Sequence, residues 1–190
     1  NWDAPILISP HDSETLYFAS FRVWRSNDRG DSWTTISGDL TRDQDRTKLP
    51  LMDRLWSADA IWDVGAMSRF NTITSLSESP VVAGLLYAGT DEGRIHVSDN
   101  CGENWLEISD LPGVTDNNFV NDIKADLHDE YTVYDVVDDH KSGDFSPYVL
   151  KSDNRGRSWR SISSNLPDRH VLWRIVQDHE KPELLFLGTE

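Results

Sequence analysis

Carboxylates and tryptophans are the side chains of this sequence best suited to chemistry, and two stretches gather them. The first, Trp56-Ser57-Ala58-Asp59-Ala60-Ile61-Trp62-Asp63, sets two indoles among two acids. Exposed, Trp56 and Trp62 would stack on sugar or peptide groups while Asp59 and Asp63 accept hydrogen bonds. Turned inward, the rings would pack the segment onto its neighbours, the commoner fate of large aromatics. The second stretch, Asp138-Asp139-His140-Lys141-Ser142-Gly143-Asp144, offers His140 and Lys141 to a cation or polar ligand. Its spacing matches no EF-hand or zinc pattern, so a solvated loop is the plainer reading. Asp43-Gln44-Asp45-Arg46 likewise does not continue as a calcium loop, and neither a metal nor a cofactor is expected. Cleaving a glycosidic bond would take two carboxyl groups at one of two set separations. Asp59, Asp63, Asp122 and Asp144 are the candidates, although a chain with 33 acidic residues offers many such pairs. No nucleophile elbow, phosphate loop, zinc motif or dinucleotide fingerprint is present.

The bulk properties narrow the partners. A net charge of -15 opposes binding to nucleic acid or anionic lipid through overall electrostatics. No apolar run reaches the length of a membrane span. Cys101 stands alone, so no disulfide forms within the chain and the redox compartment is unreadable. The opening Asn1-Trp2-Asp3-Ala4-Pro5 lacks the basic and apolar regions of a signal peptide, which says little about localisation.

The elements that must position these residues announce themselves by repetition. Three octets recur: Ser26-Asn27-Asp28-Arg29-Gly30-Asp31-Ser32-Trp33, Ser98-Asp99-Asn100-Cys101-Gly102-Glu103-Asn104-Trp105 and Ser152-Asp153-Asn154-Arg155-Gly156-Arg157-Ser158-Trp159. Each lies between two strand-like runs and reads as a hairpin tip. The third residue accepts N–H bonds within the turn, and the glycine supplies a positive φ. The tryptophan begins the returning strand and covers the turn, so Trp33, Trp105 and Trp159 are assigned to structure. Upstream, Leu16, Leu86, Val133 and Leu185 begin similar strands at offsets of 70, 117 and 169. The same register aligns Ile6, Leu76, Ile123 and Ile175 one strand earlier.

Four short strands per unit, A to D, repeated in tandem describe blades of an all-β propeller. The expected blades are about 4–37, 71–109 and 118–163, with an insertion at about 38–70 and half a blade at about 171–190. In the second unit the strands fall roughly at Ile73–Ser77, Leu85–Thr90, Arg94–Ser98 and Asn104–Ile108. Three and a half blades would leave raw sheet edges. The chain is therefore expected to be a fragment, partnered by the rest of the propeller or by a complementary chain.

The octets resemble the Asp-box, or bacterial neuraminidase repeat, of sialidases, sortilin-type receptors and xyloglucanases. The stretches Asn1 to Thr41 and Glu78 to Gly93 resemble large bacterial propeller proteins labelled glycosyl hydrolase or sortilin-like. The likeness covers nearly the whole chain, departing from the Asp-box pattern at Asn100 and Asn154, where Asp is usual. Asn keeps an acceptor oxygen, so those turns should survive. The resemblance implies an extracellular or periplasmic propeller that binds protein or glycan, or a sialidase- or xyloglucanase-like hydrolase. In sialidases, arginines near the starts of A strands contact the substrate carboxylate. Arg69 and Arg174 occupy such positions, where a core or rim ion pair is the commoner role. The sialidase Arg-Ile-Pro and xyloglucanase Arg-Thr-Asp-x-Gly-Gly signatures are both absent.

Topology narrows the site further. In an up-and-down blade the A–B and C–D turns share one face, and the B–C and D–A connections share the other. The octets are C–D turns. The long insertions, between Ser37 and Asn71 and from Asp138 to Pro147, fall in D–A and B–C connections. Loops that vary on one face of a repeat array mark a binding face. Trp56, Trp62, Arg69, His140, Lys141 and Arg174 are accordingly the expected ligand contacts. A structural module spacing other domains is the third reading.

Overall fold

The computed structural model describes residues 3–45, 48, 50, 54–56, 70–116 and 118–190. Three four-stranded antiparallel sheets and a two-stranded one follow each other in chain order. The first holds β1 (Ile6–Ile8), β2 (Leu16–Ala19), β3 (Val23–Ser26) and β4 (Thr34–Thr35). The second holds β5 (Ile73–Glu78), β6 (Leu86–Thr90), β7 (Ile95–Ser98) and β8 (Leu106–Ile108). The third holds β9 (Phe119–Ala125), β10 (Val133–Asp139), β11 (Asp144–Ser152) and β12 (Arg160–Ser161). Strands β13 (Leu172–Gln177) and β14 (Leu185–Thr189) form the two-stranded sheet. The meander order within every sheet is that of propeller blades, numbered 1 to 4 below.

Burial follows from stacking. β5, β6 and β10 are buried along their whole length, because both faces of a middle blade are covered. In β13 Leu172 and Ile175 are buried against blade 3, while Trp173, Arg174 and Val176 are exposed. Leu7, Tyr17, Val23, Ile73 and Leu86 fill the space between blades 1 and 2. Tyr87, Ile95, Val120, Ile123 and Leu150 fill the next, and Tyr134, Val149, Leu172 and Ile175 the one after. Each fully buried aliphatic side chain contributes about 2 kcal/mol.

Octets and A–B turns lie at one end. The fourth residue of each octet donates its N–H to the A–B turn of its own blade: Arg29 to Glu14 O, Cys101 to Gly84 O and Arg155 to Tyr131 O. B–C and D–A connections meet at the other end, where Leu40 N donates to Phe21 O and Asp91 N to Thr72 O. Arg42 N and Gln44 N, in the described part of the long insertion, donate to Glu92 and Asn71 at this second end. This arrangement is the one the topology predicts. No helix among the described residues is long and apolar enough to cross a membrane.

One expectation changes. The stretch read as a loop from Asp138 to Pro147 is mostly strand: β10 runs on to Asp139, β11 starts at Asp144, and a single 3-10 turn joins them. Gly143, at φ +82°, closes that turn, so the added residues lengthen the hairpin rather than loosen it.

Candidate functional site

The octets spend their polar atoms internally. In the first, Ser26 Oγ donates to Asp28 Oδ1 (2.7 Å) and accepts from Gly30 N (2.8 Å). Asp28 also takes Ser32 N and Oγ at 2.8 and 2.6 Å. Asn100 Oδ1 receives Ser98 Oγ and Asn104 N, both at 3.0 Å. Asn154 Oδ1 receives Ser152 Oγ and Ser158 N at 2.8 and 2.9 Å, and its Nδ2 donates to Ser158 Oγ. The asparagines thus reproduce the turn. Gly102 and Gly156 complete theirs close to the preceding blade: a Cβ would come within 2.8 Å of Ile36 or 3.0 Å of Val97. Trp33 donates to Gly30 O, whereas Trp105 reaches across to Ile36 O at 2.9 Å. Trp159 packs against the core between blades 2 and 3.

At the other end, the A strands carry a shared irregularity. The register slips once in each of β5, β9 and β13, at Thr74, Asn121 and Trp173. Such a bulge re-aims side chains. Thr74 Oγ1 donates to Val120 O of the next blade at 2.7 Å, and Asn121 Nδ2 donates to Leu172 O at 2.7 Å. The third bulge holds an aromatic instead. Trp173 is 41% exposed, and its ring lies 6.3 Å from that of His140.

Around it a polar chain links two blades. Buried Asp138 accepts from Asn121 Nδ2 at 2.7 Å and pairs with His140 Nδ1. The backbone N–H of His140 also donates to Asp138. Asn121 O in turn accepts from Arg174 Nη1 at 2.8 Å. The Arg174 side chain is 61% exposed and lies 3.9 Å from buried Asp122. His140, Asp138, Asn121 and Arg174 therefore form one connected group flanked by Trp173. One imidazole nitrogen, Nδ1, faces Asp138.

Lys141, the next residue, is inserted between two rings, with Nζ 4.7 Å from the centres of both Phe70 and Phe119. Burial pulls its pKa down, and Asp91, Asp138, Asp139 and Glu92 oppose that pull. Burial pushes Asp91 up to about 7 while Thr72 N holds its Oδ1 at 2.9 Å. Glu92 is likewise raised by burial and accepts from Arg42 N. Thr115 Oγ1 donates to Asp139 Oδ2 at 2.5 Å. Among the described residues no group of three or more His, Cys, Asp or Glu side chains is arranged for a metal ion.

The candidate residues from the sequence thus separate. His140, Lys141 and Arg174 gather on the loop face. Asp122 acts between blades: its Oδ2 accepts from Ile175 N at 3.0 Å and its Oδ1 pairs with Lys124. Asp144 accepts from Tyr148 OH and Ser146 N, and the Tyr148 bond first among these holds its carboxyl below the usual range. Arg54 lies over the Trp56 ring at 4.5 Å. Asp59, Trp62, Asp63 and Arg69 lie outside the described residues. Sequence reasoning missed Trp173, Asn121, Asp91, Glu92, Phe70 and Phe119. The signal for Trp173 was its alignment with Thr74 and Asn121, where it alone is aromatic.

No protein-family profile and no curated protein matches the chain. Solved structures do match it in fold. An ancestral GH74 enzyme superposes with a TM-score of 0.63 at 20% identity, over 97% of this chain and 21% of that one. The GH74 xyloglucanase from Xanthomonas campestris gives 0.62 at 19% identity, over 97% and 26%. YCF48 bound to D1 peptide gives 0.52 at 11% identity, over 93% and 48%. The chain therefore spans about a quarter of the length of the first two.

Proposed function

We propose that this chain is a binding module of a β-propeller, taking a protein or glycan ligand on the loop face. The asymmetry between the two ends carries the reading. At the octet end the repeated polar atoms close turns; at the loop end His140, its side chain 39% exposed, sits on a base of buried, hydrogen-bonded acids. A rigid base under a few exposed aromatic and charged groups is what a recognition surface needs. An extracellular or periplasmic setting belongs to the same proposal and rests on the Asp-box resemblance.

The deciding experiment measures binding to a glycan array and hydrolysis of xyloglucan and sialyl-oligosaccharides side by side. Binding without turnover, lost in His140→Ala and retained in Trp33→Ala, is the expected result. The GH74 likeness favours a second reading, a glycoside hydrolase. Turnover abolished by Asp59→Asn or Asp63→Asn would establish it in place of the first.

A further inference from the structure

We infer that the space between Phe70 and Phe119 on the loop face recognises a primary alkylammonium group, the lysine of a partner protein, and that the chain's own Lys141 fills it at rest. This site deepens the loop-face reading above and rests on it. Phe70 lies just ahead of β5 in blade 2, and Phe119 opens β9 of blade 3. Both are buried, and both ring centres lie 4.7 Å from Lys141 Nζ. Blade 1 packs on β5 and blade 4 on β9, so both walls of the space have neighbouring blades. Two aromatic faces around one ammonium attract it through their quadrupoles.

Acids stand around the rings. Asp91 and Glu92, in the turn between β6 and β7, and Asp138 and Asp139, at the end of β10, are all buried and all attract the Lys141 charge. Three of them hold one oxygen in reserve. Asp91 Oδ1 takes Thr72 N, one Glu92 oxygen takes Arg42 N, and Asp139 Oδ2 takes Thr115 Oγ1. Asp91 Oδ2, Glu92 Oε1 and Asp139 Oδ1 are buried and have no hydrogen-bond partner among the described residues. Unmet buried acceptors ask for N–H donors. That selects a primary ammonium, which carries such donors, over a quaternary one, which carries none. A sugar hydroxyl brings no charge to the rings. A metal ion would need three or more converging ligands, an arrangement absent among the described residues.

Lys141 is placed to leave. It sits on the single turn His140–Ser142, and its side chain is half-buried at the loop face. Ser142 and Gly143 are exposed, and a Cβ on Gly143 would meet nothing within 4 Å, so this half of the turn is not packed down. A resident ammonium weakens the apparent affinity for an external one in proportion to its occupancy.

The test empties the space. Lys141→Ala removes the atoms of a propylammonium group, and n-propylammonium chloride is then titrated while the thermal midpoint is followed. A saturable rise in the midpoint of the variant is expected, absent in wild type and absent with 1-propanol or sodium chloride. Tetramethylammonium should require about tenfold more for the same rise. Lys141→Met refills the space without charge and should not respond. Calorimetry with acetyl-Gly-Lys-Gly-amide reads the partner's lysine. Lys141→Ala should bind it about tenfold or more tightly than wild type does, and should not bind the norleucine counterpart. If Lys141→Ala does not fold unaided, recovery of cooperative unfolding in propylammonium and not in propanol is the expected result. The inference is overturned if propylammonium and propanol act alike, if the Ala and Met variants respond alike, or if the lysine peptide binds Lys141→Ala no better than wild type. Should it fail while array binding is still lost in His140→Ala, the loop-face reading stands without it.

Discussion

The indole N–H of Trp105 donates to the carbonyl oxygen of Ile36 across 2.9 Å, joining the octet of blade 2 to the outer strand of blade 1. Trp159 occupies the same octet position in blade 3, yet its Nε1 is buried and has no hydrogen-bond partner among the described residues. The two residues should respond differently to loss of that N–H. Trp105→Phe is expected to cost about 1 kcal/mol through the lost bond and the orphaned carbonyl, beyond any cost of the smaller ring. Trp159→Phe should cost less, since it removes a donor already unsatisfied. Urea unfolding of both variants checks this, and equal losses would refute it.

Gly89 faces Val120 of the next blade so closely that a Cβ would lie 2.2 Å from Val120 Cγ1. Gly89→Ala should therefore destabilise the chain by about 1–3 kcal/mol through over-packing. Val120→Ala removes the nearest atom. The double variant should be less destabilised than the sum of the two single changes, by about 1 kcal/mol in a double-mutant cycle.

Asp28 has its pKa lowered to about 2, chiefly by the Ser32 hydroxyl and backbone N–H and by Ser26. A depressed acid contributes stability that is present above the unfolded value, near 4, and lost as pH falls through the folded one. Unfolding midpoints of wild type and Asp28→Asn should accordingly converge between about pH 4 and pH 2. A constant difference across that range would show that Asp28 is not the titrating group.

Asp135 presents the opposite sign. Its side chain is fully buried, neither oxygen has a hydrogen-bond partner among the described residues, and burial followed by the nearby Asp122 charge pushes its pKa well up. The folded state then keeps a proton that the unfolded chain releases above about pH 4, so this group subtracts stability as pH rises. Asp135→Asn should flatten that decline and be more stable than wild type at neutral pH by about 1 kcal/mol or more. Denaturant titrations at several pH values measure both effects.

The blade order, the octet turns and the two ends were all legible because each was stated three times over in the sequence. Strand limits in blade 2 came within one or two residues for the same reason: β5 to β8 sit in the middle of the repeat. The candidate site was only half legible. His140 and Lys141 stood out as charges in a connection and Arg174 as an arginine near the start of an A strand, but Asn121 and Trp173 acquire their roles from a slip in pairing that no alternation pattern reveals. Asp135 was hidden in another way. Phe18, Ala88 and Leu187 align with it, and a single acid among apolar repeats looks like an outward-facing residue until both sheet faces are known to be covered.

The inner-strand bonds also bear on how the molecule comes apart. Besides Thr74 and Asn121, Ser75 Oγ accepts from Ile123 N and Ser77 Oγ from Ala125 N, each across a blade boundary. Peeling away one blade would strand peptide groups on its neighbour in a dry interior, so the penalty for partial opening rises with every rung. Nearest-neighbour coupling of that strength makes blades 2 to 4 melt together rather than one after another.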